Sequence, residues 1–162
     1  MGTSESSGAE AGVGVIEAFM TEDHARIDAS LRAAERGDGT VDEAAYVAFR
    51  GALLRHIGME EKVLLPFARE RRGGVALDFA ARLRADHSRI AKLLVRSPSR
   101  ALFDALRAEL SRHNEIEEGP AGLYAVCDAL AGSRGSEIVA RLAAQPAVPL
   151  AKYYDGPLHG AH

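Results

Sequence analysis

The sequence predicts an all-α protein: an antiparallel up-down four-helix bundle with a short additional C-terminal helix. Three observations predict it. Apolar residues recur at three- and four-residue spacing through four long stretches, the pattern of amphipathic helices that bury one face. Short breaks containing Gly, Pro or Ser separate those stretches, which makes successive helices antiparallel neighbours. The chain also repeats itself: Arg55-His56-Ile57-Gly58-Met59-Glu60-Glu61 returns as Arg112-His113-Asn114-Glu115-Ile116-Glu117-Glu118, each with a leucine (Leu53, Leu110) at the same offset before it.

Residues 1–12, rich in Gly, Ser, Glu and Ala, carry too little apolar surface to offset the entropy of ordering and are expected to form a disordered tail. The bundle and its C-terminal helix are expected to span 13–145. The first helix, about Val13 to Arg36, places Ile16, Met20, Ile27 and Leu31 on one stripe with His24 among them, and Gly37-Asp38-Gly39 ends it. Thr40 with Glu43 reads as a capping box for the second helix. That helix runs to about Arg71 on a stripe of Tyr46, Phe49, Leu53, His56, Glu60, Val63 and Phe67, with Pro66 predicting a kink or an early end.

Gly73-Gly74 makes the next turn. The third helix, roughly Val75 to Val95, aligns Leu77, Ala80, Leu83, His87, Ile90 and Leu94. Ser97-Pro98 supplies a cap and a first-turn proline for the fourth, whose stripe is Phe103, Leu106, Leu110, His113 and Glu117. Gly119-Pro120 interrupts it. A continuation through Leu123, Tyr124, Cys127 and Leu130, a short helix near Ser136 to Ala144, and a C-terminal tail over 146–162 complete the expected order.

Bulk composition excludes some functions. A chain of 162 residues, 47% hydrophobic and 27% charged, fits one domain that buries its core without staples. Its net charge of -3 offers no basic field to a nucleic-acid backbone or an anionic membrane, and no apolar run reaches membrane-spanning length, so neither partner is expected. One cysteine and a start lacking the secretory pattern make a reducing cytoplasm the expected compartment.

The chemistry lies in the polar residues on apolar stripes. A histidine and a carboxylate four residues apart on a helix share a face and can grip one ion. Burying four imidazoles and two carboxylates without compensation is costly, because unpaired buried charge loses several kcal/mol of effective hydration. Metal ions supply that compensation, so His24, His56, Glu60, His87, His113 and Glu117 are the expected metal ligands. Their neighbours Arg55, Arg112, Glu61 and Glu118 are expected to rotate away from the stripe. Asp23 with Arg26 and Asp86 with Arg89 read as rim salt bridges in preference to partners that orient an imidazole. Cys127 reads as a core thiol, and Tyr46 and Tyr124 as core or pocket lining. His159 and His162, in the tail, are not expected to bind metal.

One element per helix, in the order His24, His56-x-x-x-Glu60, His87, His113-x-x-x-Glu117, resembles the hemerythrin-like, or HHE cation-binding, family over about Val13 to Leu130. The resemblance implies a non-haem di-iron centre within a four-helix bundle. It makes Glu60 and Glu117 bridges between two iron ions and the four histidines terminal ligands, with an oxo or hydroxo bridge between the metals. Oxygen-carrying hemerythrins have a fifth histidine one turn from the third-helix one, where this chain has Leu83 and Ala91. Two histidines and two carboxylate oxygens per six-coordinate ion leave two places, one for the bridge and one for an exogenous molecule, so both irons are expected to be open. The function implied is binding of, or reaction with, a small ligand (O2, NO or peroxide) in iron, redox or nitrosative stress. The alternatives are a di-iron oxidase, oxygenase or peroxide-decomposing enzyme with a second substrate, and a metal-dependent structural or signalling module.

Overall fold

A computed structural model describes residues 12–158. The expected tail over the first residues, and His159 and His162, lie outside the described residues, save that Gly12 is described and non-helical. The described residues are all-helical, with a single isolated bridge between Glu35 and Val41 as the only β pairing among them. The helices are α1 (Val15–Ala34), α2 (Glu43–Met59), α3 (Leu65–Arg71), α4 (Ala80–Leu94), α5 (Arg100–Glu117), α6 (Leu123–Ala131) and α7 (Gly135–Ala143). No helix among them is long and apolar enough to cross a membrane.

Three starts differ from expectation. The α2 cap is Asp42, whose side chain accepts from the Ala45 N–H, and not Thr40, whose N–H and hydroxyl both donate to Asp38. Thr40 is held there because Asp38 closes a tight Asx turn around the glycines, leaving the cap to the next acid. Helix α4 starts at Ala80, five residues later than expected, since 75–79 are spent in turns after Gly73 and Gly74, both at positive φ. The α5 cap is Ser99, whose hydroxyl accepts from the Leu102 N–H, so Pro98 precedes the helix.

Pro66 does not end its helix, which continues to Arg71. Between α2 and α3 the chain makes one π-helical turn, Glu60–Leu64, in which the Leu65 N–H reaches back to the Glu60 carbonyl. The wider turn passes the chain into α3 with Pro66 in its first turn, where a missing N–H costs nothing. Such insertions are frequent at functional sites, and this one starts at Glu60.

Helix α1 lies along α2, α4 along α5, and α6 and α7 pack on α1. The apolar stripes collect into two clusters. One gathers Ile16, Met20, Met59, Leu64, Leu83, Tyr124 and Cys127; the other gathers Ile27, Leu31, Tyr46, Phe49, Leu53, Ile90, Leu94 and Phe103. Along α1, α2 and α4 the histidines fall where the chain passes from one cluster to the other: His24 between Met20 and Ile27, His56 between Leu53 and Met59, His87 between Leu83 and Ile90. A polar layer thus separates two greasy ones.

The expected C-terminal tail is ordered against the helices as far as it is described. Buried Arg50 donates to the carbonyls of Leu94 (2.7 Å) and Ala151 (2.9 Å) while its guanidinium lies 4.8 Å from the Tyr153 ring centre. The Tyr154 N–H donates to the Val95 carbonyl at 2.7 Å, and Asp155 accepts from the Ser97 N–H and hydroxyl. These bonds strap 151–155 to α2 and the α4–α5 turn.

Candidate metal centre

All six expected residues converge in the polar layer. His56, His87 and His113 are buried, His24 nearly so, and Glu60 and Glu117 are completely enclosed. Two groups of donor atoms could each hold an ion: His24, His56 and Glu117, and His87, His113, Glu60 and Glu117.

Glu117 divides its oxygens between these groups, and Glu60 belongs to the second. Glu117 Oε2 lies 3.0 Å from His24 Nε2, while its Oε1 contacts His113 Nε2 and stands 3.9 Å from His87 Nε2. Glu60 Oε1 lies 3.3 Å from His87 Nε2 and 3.6 Å from His56 Nε2. Yet Glu60 Oε1 and Glu117 Oε1, both buried, have no hydrogen-bond partner among the described residues. Imidazole nitrogens crowd them without hydrogen-bond geometry. Buried carboxylate oxygens left in this state are expensive unless a cation sits between the donors, so the residues present fit a metal pair.

Each imidazole is turned inward by a carboxylate behind it. His56 Nδ1 donates to Asp23 at 2.7 Å, His113 Nδ1 to Asp86 at 3.2 Å, His87 Nδ1 to Glu61 at 3.0 Å, and His24 Nδ1 pairs with Glu118. A carboxylate accepts only, so Nδ1 carries the proton and the Nε2 lone pair faces the centre. This corrects four expectations at once. Asp23 and Asp86 keep their pairs with Arg26 and Arg89 but also orient imidazoles, and Glu61 and Glu118 do not rotate away. Both glutamates sit where α geometry lapses, Glu61 in the π turn and Glu118 at the end of α5, which lets each reach a histidine on a neighbouring helix.

Tyr124, expected as core or pocket lining, is fully buried and stands in the middle of the layer. Its hydroxyl lies 2.6 Å from Glu117 Oε2, 3.1 Å from Glu60 Oε2, and 3.0 Å from each of His24 Nε2 and His56 Nε2. Had α5 continued straight, the seven residues from Glu117 would have carried it about 10 Å along the axis. The chain instead breaks after Glu118 and turns sharply, so close that a Cβ on Gly122 would stand 2.5 Å from the Glu117 carbonyl oxygen. Tyr46 is a core residue as expected, and Cys127 is a buried thiol pushed up to about 12, first by burial and then by Asp128 and Glu60.

Electrostatics at the site reflect the crowding. Burial pulls the His24 and His87 imidazoles down, but Glu117 with Glu118 and Glu60 outweighs it for His24, raising it to about 9. Glu117, Glu60 and Glu61 do the same for His87, to about 10. Burial acts to raise Glu117, yet the His113, His24 and His87 imidazoles crowded against it hold it well below the usual carboxylate range. Glu60, by contrast, is raised by burial and by its neighbour Glu117.

One cavity of about 50 Å³ reaches the centre, lined at the histidines and Glu60 by His24, His56 and His113, and walled by Ile27, Leu53, Ile90 and Leu110. It enters from the second apolar cluster, on a route lined by neither tyrosine. The chain is therefore an all-helical protein with a buried His/Glu group that could hold metal, an arrangement compatible with a hemerythrin-like site. No family model matches the chain, and no curated protein or solved structure matches it either.

Proposed function

We propose that the protein is a four-helix-bundle di-iron protein of the hemerythrin-like kind that binds or reacts with a small ligand such as O2, NO or peroxide. The observation that carries this reading is the division of Glu60 and Glu117: each aims one oxygen at the His87/His113 pair, and the other at Tyr124 on the His24/His56 side. An ion among His87, His113, Glu60 and Glu117 would satisfy both orphaned oxygens, and the His24, His56 and Glu117 donors would hold a second. Iron held there supplies one-electron chemistry and open positions for small molecules.

The chain's own residues do the rest. Asp23, Asp86, Glu61 and Glu118 fix the ring orientation and tautomer of the histidines, so the donors are in place before a ligand arrives. The Ile and Leu walls keep bulk water from the centre. A cavity of about 50 Å³ holds one or two water-sized molecules and is too small for an organic second substrate, which favours small-ligand binding over oxygenase chemistry.

The test is an absorption spectrum of the Fe(II)-loaded chain before and after exposure to O2, NO and peroxide in turn. A ferric or nitrosyl chromophore appearing with at least one of them supports the reading. A colourless protein in all three refutes it, and retained zinc or manganese in the chain as purified points to a metal-dependent structural role.

A further inference from the structure

Tyr124 is the one group at the centre for which the sequence pattern offers no role, and its surroundings exceed what a phenol can satisfy. A tyrosine hydroxyl has one proton to donate and two lone pairs. Around this oxygen stand four atoms at 2.6 to 3.1 Å: Glu117 Oε2, Glu60 Oε2, His24 Nε2 and His56 Nε2. Nδ1 of both imidazoles points outward to Glu118 and Asp23, so once a cation displaces any proton on Nε2 all four neighbours present lone pairs. One proton can serve one of them.

The distances fit another arrangement. Donor atoms about 2.1 Å from an octahedral ion lie about 3.0 Å from their cis neighbours. Tyr124 Oη meets all four neighbours at close to that edge length, the spacing expected of a donor that shares an ion with them.

We propose, resting on the di-metal reading above, that Tyr124 is a seventh protein ligand, a phenolate bound to the metal on the His24/His56 side. On binding, the O–H bond breaks, the phenolic proton leaves to solvent, and the oxygen's electron pair forms the bond to the metal. No redox change is needed. The pair of ions is then unequal: two histidines, two carboxylate oxygens and a phenolate on one side, two histidines and two carboxylate oxygens on the other. The expectation of two equally open ions gives way to one whose His87/His113 side is a protein ligand short.

The test is resonance Raman spectroscopy of the air-oxidised, iron-loaded full chain, after its iron content has been measured. Phenolate ring modes, enhanced in a visible charge-transfer band and shifted by growth on ring-deuterated tyrosine, are the expected result. The Tyr124→Phe chain should lack the band in whatever iron it holds, while Tyr46→Phe keeps it. Iron present without enhanced ring modes, or the band surviving in Tyr124→Phe, overturns the assignment and leaves the di-metal reading standing. A chain that takes up no iron overturns both.

Discussion

Asp23 accepts a hydrogen bond from His56 Nδ1 at 2.7 Å across the α1–α2 interface, and although burial acts to raise its carboxyl, that imidazole and Arg26 hold it below the usual range. The second half of the chain repeats the relation with Asp86 and His113. Such partners fix the tautomer that exposes Nε2. Asp23→Asn should keep the helical fold and weaken metal binding by about 10- to 100-fold. Competition titration against a chromophoric chelator measures this, and unchanged affinity would remove Asp23 from the site.

Removing a donor outright should do more. His56→Ala and Glu117→Ala each take atoms from a shared set, so both should leave the chain with less than one bound iron by elemental analysis, at an order-of-magnitude reading of the two-ion set. His159→Ala should leave content unchanged. Full metal retained by either of the first two variants would exclude that residue.

Gly122 fixes how closely the chain turns back on Glu117. A Cβ there would meet the Glu117 carbonyl oxygen at 2.5 Å, in a region of ordinary φ, so the conflict is one of space and not of backbone strain. Gly122→Ala should cost about 1 to 3 kcal/mol of stability by overpacking and shift Tyr124 from the centre. Chemical denaturation and the visible spectrum report the two effects separately. A variant as stable and as coloured as the parent would contradict the packing described.

The pH dependence follows from His24 at about 9 and His87 at about 10, both above the ordinary 6.5. Groups raised on folding add stability that is complete below about 6.5 and is lost as pH climbs through 9 and 10. The melting temperature of metal-free protein should therefore fall across that window. Metal must displace those protons, so its apparent affinity should rise with pH, and calorimetry in buffers of different ionisation enthalpy should show proton release. Affinity independent of pH would mean that the imidazoles are neutral before metal arrives.

The helices and the six inward residues were legible because periodicity reports burial, and a polar residue on a buried stripe is conspicuous. What the stripe cannot report is a contact made from off the stripe. Glu61 and Glu118 reach their histidines through local departures from α geometry, and periodicity assumes that geometry throughout. The repeat held a usable signal: Asp-His and Glu-Glu both occur twice at matching places, which a simple rim role does not require. Tyr124 was hidden by the break at Gly119-Pro120, because a stripe extended past a break assigns position along an axis that no longer exists. The caps at Asp42 and Ser99 were misplaced by two residues for a related reason, since tight Asx and proline turns consumed the first candidates.

Two ions sharing Glu60 and Glu117 are the centre of this reading, and metal stoichiometry tests them most directly. The purified chain, stripped with chelator, loaded anaerobically with Fe(II) and freed of excess, should hold about two irons per chain, with the melting temperature raised well above that of the stripped protein. A chain that holds no iron, or that melts identically with and without it, would show that the buried imidazoles and carboxylates satisfy one another with protons alone.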